Sequence, residues 1–149
     1  MKTCVFFGHR DINYQKYKPQ LMQLLENLIK YEGFTQFYSG GRGCFDSLCA
    51  EAVGEFIKEY PYVKNTLVFS YLPPKNEDFI LPSPYTDTLY ILEKRVPHRY
   101  AVLETNKRMV DKADCLIVGI VKEWGGAWQA VEYAKRQKKR VINICAKSA

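Results

Sequence analysis

The sequence predicts an α/β fold of three layers, α/β/α, in which helices cover both faces of a mostly parallel sheet of about five strands. Two observations lead to this prediction. Apolar runs of strand length alternate with longer segments whose apolar residues recur at helical spacing. Two of these runs pass through paired glycines directly into a helical pattern. Strands that alternate with helices pair in parallel through right-handed crossovers, which place helices on both faces.

The predicted strands are short apolar runs bounded by glycine, proline or charged residues. Residues 3–7 form a continuous apolar run, as expected of a central strand that is buried on both faces. The other four strands are residues 35–38, 63–72, 115–121 and 140–145. A long connection, residues 73–97, carries five prolines and holds at most one further short strand, at residues 88–92. We expect this connection to be a packed lid.

Four helices are predicted, over residues 14–31, 45–60, 99–111 and 127–137. In the first, Leu21, Leu25 and Leu28 share one face, and Gly33 follows where a C-cap glycine belongs. Hydrophobic residues at 47% and charged residues at 26% argue against a disordered chain. With 149 residues, the chain is expected to form a single domain, residues 1–149.

Composition also limits the classes of function. The five cysteines are odd in number and widely spaced, which favours reduced thiols and a cytoplasmic protein. With two histidines and no C-x-x-C pair, no metal site can be assembled by spacing. The N-terminal apolar run is too short for a signal peptide and no run approaches transmembrane length, so no membrane partner is expected. The net charge of +6 suits an anionic ligand, either a phosphorylated metabolite or nucleic acid.

The stretch from Ser39 to Gly43 joins a predicted strand to a predicted helix and contains Gly40 and Gly41. Glycines at such a junction permit positive φ and let a ligand approach the main-chain N–H groups. Those groups, with the helix N-terminus behind them, favour an anion such as phosphate. The stretch matches neither the P-loop nor the dinucleotide fingerprint. The alternative is a turn that needs glycine only for its own conformation.

Two further loops are expected at the same edge, because strand-to-helix loops of a parallel sheet all emerge on one side. They are Gly8-His9-Arg10, after the first strand, and Trp124-Gly125-Gly126, after the fourth. Arg10 and Arg42 could add charge-assisted contacts to phosphate. Trp124 could stack on a base or a ribose, or could cover the sheet edge as a core residue. Together the three loops predict a ligand site.

Three acidic residues near these loops are candidates for ribose binding or proton transfer. They are Asp46 and Glu51, in the first half of the second predicted helix, and Glu132, in the last helix. Asp46 could instead cap backbone N–H groups at the start of its helix, which is the commoner role of an acid there. None of the three is assigned as a catalytic residue.

Several motifs follow one another along the chain. They are Gly8-His9-Arg10, Phe37-Tyr38-Ser39-Gly40-Gly41 with Phe45-Asp46 and Ala50-Glu51-Ala52, Pro97-His98-Arg99, Asn106-Lys107-Arg108-Met109-Val110-Asp111, and Trp124-Gly125-Gly126 with Glu132-Tyr133-Ala134. Together they resemble the YpsA-like branch of the SLOG superfamily, which includes the DprA DNA-processing proteins and the LOG phosphoribohydrolases. The resemblance implies a Rossmann-like fold and a glycine-loop site for a nucleotide or nucleotide-derived ligand. It adds Arg99 and Asn106 to the expected ligand-binding residues, and the alternative is that both are ordinary surface or capping polar residues of the third predicted helix.

The sequence departs from the P-G-G-x-G-T-x-x-E motif of LOG enzymes, since Ser39 precedes the glycine pair and no threonine follows Gly43. We therefore expect first a protein that binds or senses a small nucleotide-derived ligand similar to ADP-ribose or NAD. A hydrolase of an N-glycosidic or phosphate-ester bond of a nucleotide is the first alternative, and a protein that binds single-stranded nucleic acid is the second. No cofactor is expected to be required, and the oligomeric state, homo-oligomer included, stays open.

Overall fold

The computed structural model describes residues 1–72 and 78–146, which form one sheet of six strands and four α-helices. The elements in chain order are β1 (Lys2–Gly8), α1 (Lys18–Lys30), β2 (Phe34–Ser39), α2 (Cys44–Ile57), β3 (Lys64–Phe69), β4 (Asp87–Tyr90), α3 (Ala101–Lys112), β5 (Cys115–Gly119), α4 (Gly126–Arg136) and β6 (Arg140–Asn143). Short 3₁₀ turns precede α1 and α3, at Gln15–Tyr17 and His98–Tyr100. The predicted three-layer α/β/α fold is confirmed.

The sheet has the strand order β4-β3-β2-β1-β5-β6, and every neighbouring pair is parallel. The sheet has one strand more than the five predicted, because a segment of the long connection pairs with β3 as a sixth strand. It runs beside β3 from Thr66 opposite Asp87 to Phe69 opposite Tyr90. Chain order reverses between β1 and β5, and such a reversal is where parallel sheets bind ligands.

Residues of β1 alternate between two hydrophobic core layers. Cys4 and Phe6 belong to the layer that includes α1 and α2, whereas Val5 and Phe7 belong to the layer that includes α3 and α4. All four side chains are buried, so β1 is a central strand covered on both faces, as its apolar run predicts. Among the described residues, no helix is both long and apolar enough to cross a membrane.

The segment that leads into β4 is fastened to the edge of the sheet by Asn65 of β3. The buried Asn65 side chain donates from Nδ2 to the carbonyl oxygens of Ala50 and Pro84, at 3.0 and 3.3 Å. The backbone N–H of Thr86 donates to the carbonyl oxygen of Asn65 at 2.8 Å. These contacts hold residues 84–86 against α2 and β3, and they direct the chain into β4.

Candidate functional site

A cavity of about 470 Å³ opens at the carboxyl edge of the sheet. Its wall comes from the ends of β1, β2 and β3, from one face of α3, and from the loop between β5 and α4. The three predicted loops therefore meet around one space. Of the residues predicted to bind ligand, those that line this cavity are Gly8, His9, Arg10, Gly40, Arg42, Asp46, Asn106, Trp124, Gly125 and Gly126.

His9 and Tyr14 join the ends of β1 and β5 beside this cavity. The backbone N–H of His9 donates to the Tyr14 hydroxyl at 2.9 Å, and that hydroxyl donates to the carbonyl oxygen of Gly119 at 2.6 Å. The His9 Nε2 atom accepts from the N–H groups of Val121 and Lys122, both at 3.3 Å. Burial, followed by the charge of Lys122, lowers the pKa of His9. The imidazole is therefore neutral at pH 7, with its proton on Nδ1.

Gly41 and Gly43 shape the loops and do not line the cavity. Gly43 has φ +93°, and a Cβ there would clash with the Cα atom of Arg10. The N–H of the next residue, Cys44, donates to the carbonyl oxygen of Arg10 at 3.0 Å, which holds the loop after β2 against the loop after β1. Gly41 has φ +67°, and a Cβ there would meet Leu67. At these two positions, the requirement for glycine comes from the turn itself.

Two other predicted residues, Ser39 and Arg99, also lie outside the cavity wall. The Ser39 hydroxyl is buried, 2.7 Å from the hydroxyl of Tyr85, so it faces the segment before β4. Arg99 is exposed, and its guanidinium carbon lies 4.8 Å from the ring centroid of Tyr100. The lid predicted at residues 73–97 falls partly outside the described residues, at 73–77. None of residues 78–97 lines this cavity, and the lid role stays a prediction.

Asp46 is the third residue of α2, and its carboxylate both caps the glycine loop and lines the cavity. Its Oδ2 atom accepts from the backbone N–H of Arg42 at 3.0 Å. The residue is only 8% exposed. Burial raises the pKa of Asp46 to about 7, although the Arg42 N–H and the charges of Arg42 and Arg10 act in the opposite direction. This carboxyl can therefore gain or lose a proton near neutral pH.

Arg10 and Arg42 give the cavity a positive wall. Burial and the nearby charge of Arg10 lower the pKa of Arg42, yet an arginine stays charged at neutral pH. The guanidinium carbon of Arg42 lies 6.0 Å from the ring centroid of Tyr71. Two guanidinium groups beside one carboxyl that titrates near pH 7 leave this side of the cavity with an excess of positive charge.

The starts of α2 and α4 differ in what their N–H groups bind. At α2, the N–H groups of Arg42 and Cys44 already donate to Asp46 and to the Arg10 carbonyl. At α4, Gly125 has φ +99°, and the N–H groups of Gly126 and Ala127 have no acceptor among the described residues. Both of these residues line the cavity. The N–H groups of Gly126 and Ala127 are therefore free donors for an anion in this cavity.

Trp124 stands at the rim of the cavity with its side chain 65% exposed. The alternative that it is a core residue is therefore wrong. The Nζ atom of Lys122 lies 4.7 Å from the Trp124 ring centroid and 3.7 Å from a carboxylate oxygen of Asp11. The indole is thus an accessible aromatic surface next to a cation.

The three candidate acids do not come together. Glu51 is exposed on the outer side of α2, and Glu132 lies 3.6 Å from Lys135 in a hollow between α3 and α4. Asp46 is therefore the one member of the three that lines the cavity. Within residues 1–72 and 78–146, no three His, Cys, Asp or Glu side chains are grouped in a way that could hold a metal ion.

Several residues of the site were missed from the sequence. Ser70, Thr105 and Lys122 line the cavity, and the Tyr14 hydroxyl connects two loops. The sequence position of Lys122, two residues before the Trp124-Gly125-Gly126 loop, could have indicated that it belongs to the site. Nothing in the sequence near Tyr14 indicates its role, because its contact with Gly119 joins residues far apart in the sequence.

The chain is similar to two solved structures over nearly its whole length. One is the X-ray structure of TM1055, a structural genomics target, with a TM-score of 0.59 and 16% identity over 95% of this chain and 72% of that chain. The other is DNA processing protein A from Helicobacter pylori, described for its single-stranded DNA binding mode, with a TM-score of 0.58 and 15% identity over 94% of this chain. This chain covers 63% of that protein, less than two thirds of its length.

No protein-family model and no curated protein matches the sequence. At identities of 15 and 16%, the likeness to solved structures shows the fold. The YpsA-like branch stays a prediction. The chain therefore has the same Rossmann-like fold as these two structures, as the sequence motifs lead us to expect.

Proposed function

We propose that this protein binds a nucleotide or a nucleotide-derived ligand in the cavity at the carboxyl edge of its sheet. The observation that carries the proposal is the free start of α4. The N–H groups of Gly126 and Ala127 lack acceptors among the described residues, and they line the same cavity as Arg10 and Arg42. Unpaired amides at a helix N-terminus, close to guanidinium groups, form a site for phosphate.

The other cavity residues suit the remaining parts of a nucleotide. The exposed indole of Trp124 stacks on the base, and the side-chain amide of Asn106 pairs with polar atoms of the base edge. The Asp46 carboxyl accepts from a ribose hydroxyl. The neutral His9 offers its Nδ1 proton as a further donor. A volume of about 470 Å³ lies within the range of small-molecule sites.

The role of phosphate is tested by comparing AMP with adenosine in calorimetric titrations of the wild-type protein. We expect AMP to bind at least about tenfold more tightly, because charge-assisted hydrogen bonds to phosphate are worth about 1.5–3 kcal/mol. A positive control is the rise in melting temperature of the same sample with saturating AMP. If AMP and adenosine bind equally, the proposed phosphate site is wrong.

Single-stranded nucleic acid is a second candidate ligand class, favoured by one observation. Exposed aromatic side chains, Tyr71, Tyr90 and Trp124, lie at the carboxyl edge with Arg10 and Arg42. Stacking surfaces that alternate with cations are typical of proteins that bind single strands. Such binding releases counterions, so the affinity for a single-stranded oligonucleotide must fall steeply between low and physiological salt. A flat affinity over that range rejects this candidate.

The hydrolase alternative rests on Asp46, whose pKa near 7 suits proton transfer. The other acid that lines the cavity is Asp11, whose side chain is 76% exposed and lies 3.7 Å from the Nζ atom of Lys122. The buried Asp46 is therefore the candidate for proton transfer, with His9 or the arginines as its partners. A release of base or phosphate from a nucleotide panel that disappears in Asp46→Asn would support the alternative. A wild-type protein that binds nucleotides without turnover would reject it.

A further inference from the structure

A second cavity of about 570 Å³ lies beside the first. It is formed by the end of β3, the edge strand β4 and the turn that precedes α3. Its lining includes Tyr71, Tyr90, Arg95 and His98, and no acidic residue lines it within residues 1–72 and 78–146. The nucleotide site proposed above does not use this space.

The second cavity contains a stacked pair of aromatic rings. The centroids of Tyr71 and His98 are 4.3 Å apart with an interplanar angle of 24°. The Tyr71 hydroxyl donates to the backbone carbonyl oxygen of His98 at 3.0 Å, which fixes the two rings relative to each other. His98 remains exposed, so its ring face away from Tyr71 can receive another planar ring. Arg95 supplies a cation at the same place.

Residues at three places connect the walls of the two cavities. The buried Ser70 lines both of them. Arg42 lines the first cavity and lies over the ring of Tyr71, which lines the second. At the start of α3, Ala101 faces the second cavity and its neighbour Val102 faces the first. A ligand that fills the first cavity can therefore extend past Ser70 into the second.

We propose that the ligand is a dinucleotide, whose second ring system stacks on His98 in the second cavity while its first nucleotide occupies the first. The proposal rests on the function proposed above and specifies its ligand class. The bridging phosphates lie near Arg42, between the two cavities. Arg95 contacts polar groups of the second nucleoside. A mononucleotide fills only the first cavity and gains nothing from His98.

The experiment compares NAD with AMP, by calorimetry, on the wild-type protein and on His98→Ala. In the wild type, we expect NAD to bind at least about tenfold more tightly than AMP, because a stacked ring commonly contributes that much. In His98→Ala, NAD loses about tenfold in affinity and AMP is unchanged. The Tyr71 hydrogen bond goes to the backbone of residue 98, so this variant retains its acceptor.

Two further variants make the result unambiguous. Arg95→Ala removes an exposed side chain of the second cavity and should weaken NAD without weakening AMP. Tyr100→Ala removes an exposed tyrosine from the same turn that lines neither cavity, and it should bind both nucleotides as the wild type does.

Each contrary outcome has its own meaning. Equal affinities for NAD and AMP in the wild type, with no effect of His98→Ala, overturn the two-cavity proposal and leave the nucleotide site intact. Loss of AMP and NAD together in His98→Ala also overturns it. Binding of neither nucleotide by folded wild-type protein overturns the proposed function itself. A single-stranded tetranucleotide that binds more tightly than NAD, and depends on His98, assigns the second cavity to nucleic acid and overturns the dinucleotide.

Discussion

Replacing Phe45 with alanine is expected to lower the free energy of unfolding by about 3–5 kcal/mol, the usual cost of removing a fully buried phenylalanine. The Phe45 side chain is 0% exposed, in the first turn of α2. Its ring occupies the space left by the missing side chains of Gly8 and Gly119, at the ends of β1 and β5. It also meets the ring of Tyr14 edge to face, with centroids 4.8 Å apart. The ring therefore fills the space below the cavity.

Chemical denaturation measures this loss, and Phe79→Ala provides the matched control. Phe79 is also an aromatic residue with an aromatic neighbour, Phe69, but it is 46% exposed and lies outside both core layers. We expect its replacement to cost less than about 1 kcal/mol. If Phe45→Ala costs no more than Phe79→Ala, then the ring is not a main support of the cavity floor.

Asp46→Asn is expected to make the protein more stable than the wild type at pH 8, with little difference at pH 4. The pKa of Asp46 is about 7 in the folded protein against 3.8 for an ordinary Asp. A raised folded pKa means that the stability from the neutral carboxyl is fully present below the unfolded pKa, near 4, and is lost as the pH rises through about 7. Three pKa units correspond to a loss on the order of 4 kcal/mol. Asparagine has no such loss, and its side-chain oxygen still accepts from Arg42.

The measurement is the free energy of unfolding of both proteins at several pH values from 4 to 8. The advantage of Asp46→Asn should grow between pH 4 and pH 7 and then stay constant. Glu51→Gln is the control, because Glu51 is an acid on the same helix that is exposed and does not line the cavity. A difference between wild type and Asp46→Asn that does not change with pH would contradict the burial of a titrating carboxyl.

The fold could be predicted from the sequence to a large extent because its signals are local. Apolar runs mark β1 and β5, and helical spacing marks α1 and α4. The strand β4 is harder, because no helix occurs between it and β3 among the described residues. Its pairing depends on Asn65, which fastens the preceding segment through hydrogen bonds between residues 15 to 21 positions apart. A single sequence carries no local signal for such contacts.

The candidate site could be predicted as a set of loops but not residue by residue. The rule that parallel strands end at one edge brings His9, Asp46 and Trp124 to one cavity. It does not say which side of a helix each acid occupies. Asp46 and Glu51 are five residues apart, which is about 140° around a helix, so they cannot both face the cavity. A glycine in the sequence also does not show which of two roles it has. It can be required by the conformation of a turn, as at Gly43, or it can have a backbone N–H group that is free to bind a ligand, as at Gly126.

Phosphate binding at the start of α4 is tested most directly by the AMP affinity of Gly126→Pro relative to that of Gly126→Ala. Proline is tolerated at the first position of a helix and removes one N–H donor, whereas alanine retains it. No described atom lies within 4 Å of a Cβ at this position. We predict that Gly126→Pro binds AMP about tenfold more weakly than Gly126→Ala, and that both bind adenosine alike. Equal AMP affinities in the two folded variants would contradict a phosphate held by this helix.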